Sequence, residues 1–359
     1  MGKTRLALIF GGQSSEHEVS CVSGATVAGV LDREKYDITF IGITKEGHWI
    51  LVENEDEIAD RRWESDITGA PRAFISPDTD KSLVIKRGDS FEVRNIDVAF
   101  PVLHGLFGED GTIQGLFELA HIPYVGCGHL ASAITMDKFF TKIIADSIGV
   151  AQAEFVGVRA YEIEGSGMDK VVARIEAERE YPVFVKPSCA GSSKGITKAH
   201  NREELISGLK LAAENDSKIL VEESINGREI ECAVFGYGDN AFATGVGEIV
   251  AAAEFYDFDA KYNNDDSETI VDPQIPDAKR DEIREKALSI FKACDGFGFS
   301  RVDFFIEEGT DRVVFNEINT IPGHTAISMY PMLMKAAGYE MGEYVDKLIE
   351  MAYKRHDYR

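Results

Sequence analysis

Two stretches near the carboxyl end of the chain combine acidic, basic and amide side chains at spacings that suit metal and anion binding. Phe299–Ile306 and Arg312–Tyr330 have the alternating β-branched and aromatic residues of strands, separated by the turn-forming residues 307–311. Residues two apart on a strand point to the same face. The sequence therefore predicts a hairpin that gathers polar side chains on one face.

This hairpin would bring four functional groups together. If it folds about Thr310, Asp303 lies opposite Glu317 and Arg301 lies opposite Asn319. Mg²⁺ is usually held by one or two carboxylates together with substrate phosphates, and this face offers carboxylate and amide oxygens beside a guanidinium. A solvated sheet face with ordinary cross-strand ion pairs is the alternative. The four-residue cluster favours the metal site.

Composition limits the class of protein. The chain has 359 residues, of which 44% are hydrophobic and 28% charged, as in a soluble globular protein of two or three domains. Its net charge of −24 argues against a nucleic-acid-binding surface. The five cysteines are never spaced Cys-x-x-Cys, so we expect reduced thiols in a cytoplasmic protein. No apolar run approaches the roughly 18 residues of a membrane span, so no membrane partner is expected.

A buried strand at Leu6–Phe10 is followed by a Gly11-Gly12 turn and the start of a helix. Such a corner commonly binds ligands, but it lacks the G-x-G-x-x-G pattern of a dinucleotide site. Ser15 and Glu18 have the spacing of a capping box, which accounts for Glu18. Glu16 has no visible structural task and is therefore the functional candidate.

Another buried strand, Val98–Leu103, ends in the glycine-rich turn 104–111. Strands that alternate with helices over the first 125 residues predict a parallel sheet, and active residues in such sheets lie beyond the carboxyl ends of strands. His104 has this position, although a structural role for a lone histidine is the alternative. The polar region Glu53–Asp89 is predicted to form surface hairpins and loops.

The middle of the chain offers a candidate phosphate loop. The strand Tyr181–Pro187 contains Lys186 and leads into the small residues Ser188–Gly195. Successive N–H groups in such a loop can cradle phosphates, but the spacing is not that of a Walker A loop, and a plain hairpin tip is the alternative. Further predicted elements are a helix from 136–138 to about Ile148, strands at 218–223 and 230–235, a structured loop at 255–266, and helices at 277–293 and 341–354.

In their order along the chain, these features resemble the D-alanine–D-alanine ligases of the ATP-grasp superfamily. The resemblance covers essentially the whole length. The motifs that carry it are GGQSSEHEVS (11–20), LHGLFGEDGTIQG (103–115), MDK (136–138), VKPSCAGSSKG (185–195), FYDFDAKY (255–262), RVD (301–303) and NEINTIPGHTAISMYP (316–331).

The resemblance implies an α/β (α+β) ATP-grasp fold of three domains. Residues 1–127 would form an N-terminal Rossmann-like substrate domain with a parallel sheet, 128–225 a central ATP-grasp subdomain, and 226–359 a C-terminal catalytic domain. The last two would grip ATP between antiparallel sheets.

The resemblance also implies a reaction. ATP would phosphorylate the carboxylate of one D-alanine, and the amine of a second would attack the acyl phosphate to give the dipeptide, ADP and phosphate. The product would serve peptidoglycan precursor synthesis in the cytoplasm, and the enzyme would be a homodimer without nucleic-acid or membrane partners.

Residue roles follow from the same resemblance. ATP phosphates would be met by Lys138, Lys186 and Lys261, the adenine by the segment containing Glu222, Ser224 and Ile225, and the ribose by Glu229. Two Mg²⁺ ions, with Mn²⁺ able to substitute, would be held by Asp303, Glu317 and Asn319.

The substrates would be held by the remaining motif residues. Arg301 and the backbone N–H of Gly323 would form an oxyanion hole, and Glu16 would anchor the ammonium of the first D-alanine. Ser192 and Tyr262 would link to that glutamate and close a loop over the site. His104 would contact substrate, and Ser328 would bind the carboxylate of the second D-alanine.

The sequence is also compatible with three other functions. Two are ligases that use D-serine or D-lactate as acceptor, and the third is a nucleotide-binding paralogue without catalysis. Every motif position expected of an active enzyme is filled, which argues against the paralogue. The resemblance favours D-alanine as acceptor, because relatives that use D-lactate carry a histidine-containing loop where this chain has the DAKY sequence ending at Tyr262. Relatives that favour D-lactate, and some that favour D-serine, carry an arginine where this chain has the apolar Met329, which suits a methyl group unless it only packs the core.

Overall fold

The computed structural model describes residues 2–65, 67–191, 194–250 and 268–357. Within these ranges the strands form three sheets of seven, four and five strands. None of the described helices is both long and apolar enough to cross a membrane. The predicted α/β (α+β) architecture, with one sheet at the N-terminus and two antiparallel sheets after it, is confirmed.

The first sheet has the strand order β6-β5-β4-β3-β2-β1-β7. Its strands are β1 Thr4–Gly11, β2 Tyr36–Ile43, β3 Trp49–Val52, β4 Arg72–Ile75, β5 Ser82–Arg87, β6 Ser90–Asn95 and β7 Val98–Pro101. β1 pairs in parallel with β2 and β7, as predicted. The region predicted as surface hairpins and loops does contain antiparallel pairs, and these continue the first sheet, because alternate residues such as Leu83 and Ile85 reach the core.

The helices α1, His17–Val30, and α2, Thr112–Leu119, cover opposite faces of β1. Leu6 and Leu8 share a core cluster with residues of α1, whereas Ala7 and Ile9 share another with residues of α2. A strand buried on both faces needs a continuous apolar run, which explains the sequence of β1.

The central sheet is antiparallel, in the order β10-β9-β11-β8. Its elements are α3 His129–Met136, α4 Lys138–Ser147, β8 Phe155–Arg159, α5 Met168–Glu178, β9 Val183–Pro187, β10 Thr197–Ala199, α6 Arg202–Asn215 and β11 Lys218–Glu223. Val185 and Val221 pack into one core with α5 and α6. Because side chains alternate along strands, Lys186 and Glu222 lie on the other face of the sheet.

The third sheet is also antiparallel, in the order β14-β13-β12-β15-β16. Its elements are β12 Gly227–Tyr237, β13 Phe242–Val250, β14 Glu268–Val271, α7 Asp277–Ala293, β15 Phe297–Glu307, β16 Val313–Asn319, α8 Met329–Ala336 and α9 Met341–Asp357. The predicted hairpin is β15–β16, and its register is the expected one: Asp303 pairs with Glu317, and Arg301 with Asn319. The predicted loop 255–266 lies outside the described residues.

One hydrophobic cluster joins the first and third sheets. It contains Leu8 of β1, Phe299 of β15, Tyr330 of α8 and Tyr344 of α9, all buried. Because protein cores are close-packed, this shared cluster fixes the N-terminal sheet relative to the hairpin.

Candidate active site

A cleft of about 640 Å³ lies where the three parts of the chain meet. Predicted site residues from all three contribute to its wall: Glu16, His104, Lys138, Arg301, Glu317, Asn319, Gly323 and Ser328. Residues far apart in sequence are therefore brought together by the packing of the sheets.

Asp303 lies at the centre of a row of three carboxylates that crosses three strands. It pairs with Glu231 of β12 on one side and with Glu317 of β16 on the other. Arg301 binds Asp303 through two contacts, Nε to Oδ1 at 2.8 Å and a terminal nitrogen to Oδ2 at 2.7 Å. Asn319 donates its amide N–H to Asp303 Oδ2 at 3.0 Å. The carbonyl oxygen of Asn319 is therefore not the atom used in that bond.

Arg301 keeps its charge although its side chain is only 17% exposed. Burial alone would lower the pKa of Arg301, but Asp303 and Glu231 raise this pKa well above its usual value. The Nε atom of Arg301 lies 3.2 Å from Oε2 of Glu231. Glu231 was not predicted, because its partner strand lies far along the chain. The result is a fixed positive charge beside a row of acids.

Lys138 links this hairpin to the glycine-rich loop. Its Nζ lies 3.2 Å from Glu317 Oε2 and donates to the carbonyl of Ala190 at 3.1 Å. Burial lowers the pKa of Lys138 but Glu317 raises it, with a net increase, so the side chain stays cationic.

A second charged cluster lies on the face of the central sheet that is opposite to the core with α5 and α6. Glu222 contacts Lys186 at 2.7 Å and Lys142 at 3.2 Å, and all three side chains are largely buried. Burial alone would raise the pKa of Glu222, but Lys142 and Lys186 lower it to about 2. Lys142 was not predicted, although it follows Lys138 by one helical turn, a spacing that places both on one helix face.

Glu16 occupies a space that only glycines leave open. A β-carbon on either Gly105 or Gly191 would lie 2.6 Å from Glu16 Oε2. Gly105 belongs to the turn after β7, and Gly191 to the glycine-rich loop of the central sheet. The carboxylate is thus placed between the N-terminal and central parts of the chain.

The capping prediction for Glu18 is wrong. Helix α1 begins at His17 with Glu16 in the N-cap position and no capping side chain, so Ser15 and Glu18 are not in register for a capping box. Glu18 instead contacts Lys45 at 2.5 Å and Arg61 at 3.0 Å.

His104 uses both ring nitrogens within the protein. Nδ1 lies 2.8 Å from the carbonyl oxygen of Ile321 and must donate to it, which leaves Nε2 to accept from Ser23 Oγ at 3.0 Å. Burial lowers the pKa of His104, in agreement with this neutral form. Ser23 Oγ also accepts the N–H of His324 at 3.1 Å. These bonds hold the backbone on both sides of Gly323.

Glu109 completes the support of that segment. Its Oε1 accepts the N–H of Ile321 at 2.7 Å, and its Oε2 accepts the N–H of Gly105 at 2.9 Å. Burial and the charge of Glu16 raise the pKa of Glu109 to about 8. In the sequence, Glu109 is distinguished only as a polar member of a glycine-rich turn.

Ser328 lies at the N-terminus of α8 and next to Gly323. Its Oγ accepts the N–H of Thr325 at 3.1 Å and shares a 2.8 Å hydrogen bond with the Thr325 hydroxyl. A β-carbon on Gly323 would lie 2.7 Å from Ser328 Oγ. Met329 lines the cleft but is only 3% exposed, and its sulfur packs over Gly247, so it also serves the core.

The other predicted residues fall into two groups. Ser224 and Ile225 lie in the connection from β11 to β12, and Glu229 lies near the start of β12. Ser192, Lys261 and Tyr262 lie outside the described residues.

Two known protein families together match nearly the whole chain. The family described as D-ala D-ala ligase N-terminus matches residues 5–127, and D-ala D-ala ligase C-terminus matches residues 144–350. A D-alanine–D-alanine ligase of Ruminiclostridium cellulolyticum is 49% identical over 99% of this chain and 97% of its own.

Solved structures give the same relationship. The VanG D-Ala:D-Ser ligase of Enterococcus faecalis superposes with a TM-score of 0.87 at 38% identity, over 98% of this chain and 99% of its own. The D-alanine–D-alanine ligase of Bacillus anthracis complexed with ATP has a TM-score of 0.71 at 27% identity, over 100% and 99% of the two chains.

Proposed function

The chain belongs to the D-alanine–D-alanine ligase family, and we propose that its cleft is where the ligation takes place. It is an ATP-dependent enzyme that joins two D-alanines to D-alanyl-D-alanine for peptidoglycan synthesis, and its fold is ATP-grasp. The observation that carries the site assignment is the β15–β16 hairpin, where Asp303 and Glu317 are paired beside Arg301.

Two Mg²⁺ ions, or Mn²⁺ in their place, would be held by Asp303, Glu317 and Asn319. The donor set supports this, because carboxylate and amide oxygens are the ligands that Mg²⁺ prefers. Asn319 uses its amide nitrogen to bind Asp303, so its oxygen is the end left to face a cation. When bound, Mg²⁺ would neutralise the charge of the transferring phosphate.

The nucleotide phosphates would be met by Lys138 and Lys186, together with Lys261. Lys186 is held in place by Glu222, which also binds Lys142. The adenine would bind at the β11–β12 connection through Ser224 and Ile225 backbone groups, and Glu229 would accept from the ribose hydroxyls. The similarity to the Bacillus anthracis ligase, whose structure was solved in complex with ATP, supports a nucleotide site in this fold.

The proposed chemistry has two steps. In the first, a carboxylate oxygen of D-alanine forms a bond to the γ-phosphorus of ATP and ADP leaves, while Glu16 binds the ammonium of that D-alanine. In the second, the deprotonated amine of another D-alanine attacks the acyl carbon, and phosphate leaves. The attack produces a tetrahedral oxyanion, which lasts until phosphate leaves. Arg301 and the Gly323 N–H would stabilise this oxyanion, as preset donors do in acyl transfer.

Other residues would position these groups or the acceptor. His104 and Glu109 hold Ile321 by its carbonyl and its N–H, which sets the backbone two residues before Gly323. His104, whose ring nitrogens are both engaged, would thus act on substrate through that backbone. Ser328 would bind the carboxylate of the second D-alanine. Ser192 and Tyr262 would link to Glu16 and close the loop.

We also propose domain limits of 1–127, 128–225 and 226–359, a homodimer, and a cytoplasmic location. The limits are supported by the three sheets, each of which falls within one range. Equilibrium sedimentation of the full chain tests the dimer, which a monomer at micromolar concentration would contradict.

D-serine is a second candidate acceptor, because the similar VanG protein is a D-Ala:D-Ser ligase. A competition with ATP, Mg²⁺ and equal D-alanine, D-serine and D-lactate distinguishes the acceptors by the identity of the product. We expect mainly D-alanyl-D-alanine. A predominance of D-Ala–D-Ser or of depsipeptide would contradict D-alanine as the preferred acceptor.

A further inference from the structure

A histidine, a cysteine and a glutamate meet outside the cleft, behind the first turn of α1. His17 Nε2 lies 2.8 Å from Glu64 Oε1 and 3.7 Å from Cys21 Sγ, and the three ligand atoms all lie within 4.8 Å of one another. His17 and Cys21 are one helical turn apart on α1, and Glu64 belongs to the short 3₁₀ helix Arg62–Glu64. None of these side chains belongs to the proposed catalytic machinery.

We propose that His17, Cys21 and Glu64 form a binding site for a thiophilic divalent cation such as Zn²⁺, with a fourth position for water. Imidazole, thiolate and carboxylate are the three ligand types that Zn²⁺ binds in proteins, and thiolate disfavours Mg²⁺. This site is therefore chemically distinct from the oxygen-only cluster around Asp303.

The orientation of His17 supports the proposal. Its Nδ1 lies 2.6 Å from the carbonyl oxygen of Gly12. Metal-binding histidines usually donate one ring N–H to such an acceptor, which fixes the tautomer and directs the other nitrogen to the ion. Here the nitrogen so directed is Nε2, which faces both Cys21 and Glu64.

The spacing of the ligand atoms also suits a tetrahedral ion. With Zn–N and Zn–O of about 2.0–2.2 Å and Zn–S of about 2.3 Å, neighbouring ligand atoms lie roughly 3.3–3.7 Å apart. The distance from Cys21 Sγ to His17 Nε2, 3.7 Å, already lies at the upper end of this range. Glu64 must withdraw by about half an ångström, and its side chain, 23% exposed, is the one of the three with room to move.

A cysteine without a metal carries its thiol proton at neutral pH, because the pKa of a free cysteine is about 8.5. Binding of Zn²⁺ would then displace the thiol proton and connect α1 to the 3₁₀ helix. A ligand that binds only the folded state stabilises it, so Zn²⁺ is expected to raise the melting temperature.

Cobalt substitution tests the site, because a thiolate–Co²⁺ bond gives a near-ultraviolet charge-transfer band that oxygen ligands do not give. The full chain, treated with chelator and kept in excess Mg²⁺, is titrated with Co²⁺. We expect the band to saturate at one ion per chain and Zn²⁺ to abolish it. Cys21→Ser is expected to lose the band, and Glu64→Gln to bind at least tenfold more weakly.

Cys232→Ser is the matched control, since Cys232 is equally buried but lies outside the cluster. Its band is expected to remain. Should Cys21→Ser fail to fold, as judged by circular dichroism, Glu64→Gln and the Zn²⁺ dependence of the wild-type melting temperature still decide the question. A wild-type chain with neither a band nor a Zn²⁺-dependent shift would overturn the proposal and leave a hydrogen bond between His17 and Glu64.

Discussion

Glu109 binds the backbone N–H of Ile321 across 212 residues of sequence, with Oε1 2.7 Å from the nitrogen. The carbonyl of the same residue accepts from His104. Ile321 is thus held by both of its backbone groups, two residues before Gly323. The N-terminal sheet therefore supports the backbone that is proposed to stabilise the oxyanion.

Glu109→Ala is expected to lower kcat by about 10²-fold, because misplacing one oxyanion donor has an effect of that size. The KM for ATP should change little, since the residue is not placed near the nucleotide. Asp110→Ala is the control from the same turn, where Asp110 binds only local N–H groups among the hydrogen bonds described. Steady-state kinetics measures both, and a wild-type kcat in Glu109→Ala would remove its positioning role.

Gly191→Ala is expected to raise the KM for the first D-alanine about tenfold. A methyl group there would lie 2.6 Å from Glu16 Oε2 and would displace that flexible carboxylate, so binding suffers more than stability. We take tenfold as about 1.4 kcal/mol, the scale of one hydrogen bond. Gly115→Ala, where a β-carbon meets nothing within 4 Å, is the control. An unchanged KM with wild-type kcat would refute the placement of Glu16.

Lys186→Ala is expected to weaken ATP binding by about 10- to 100-fold, since a hydrogen bond to a charged group contributes about 1.5–3 kcal/mol. D-alanine binding should be less affected. Lys198→Ala is the matched control, because both lysines lie over the Phe184 ring. The distance from Nζ to the ring centroid is 5.8 Å for Lys198 and 5.7 Å for Lys186. Calorimetry with a non-hydrolysable ATP analogue measures the change. Equal effects of the two variants would contradict a specific phosphate contact.

Glu222 is expected to make the free energy of unfolding depend on pH in the acidic range. Its folded pKa of about 2 is below the ordinary 4.5, so its stabilising contribution is complete above pH 4.5 and is lost as the pH falls toward 2. The depression corresponds to about 3 kcal/mol. Glu222→Gln is therefore expected to be less stable by about that amount at neutral pH, with the difference shrinking below pH 4.5. Urea unfolding across this range checks it, and a difference that grows in acid would have the wrong sign.

The sequence predicted best where local rules decide the geometry. Strand periodicity and a five-residue turn were enough to place Asp303 opposite Glu317. The capping-box spacing was not enough at Glu18, because the pattern does not specify which residue occupies the N-cap. The helix began one residue later than that pattern required.

Residues whose partners are distant in sequence were missed. Glu109 acts through Ile321, and Glu231 acts through Arg301. Only the packing of the sheets brings the two residues of each pair together. Lys142 was accessible in principle, since it follows Lys138 by one turn of α4. Its partner Glu222, however, lies on another element of the central sheet.

Asp303→Asn and Glu317→Gln test the central claim, that the acidic face of the β15–β16 hairpin carries the ligation. Phosphate release is measured at saturating ATP, D-alanine and Mg²⁺, with Glu307→Gln at the far end of the same hairpin as the control. Because metal ions contribute several kcal/mol to such transition states, turnover of both variants should fall by about 10³-fold, with the melting temperature largely retained. Turnover near that of the Glu307→Gln control in either variant would contradict the assignment.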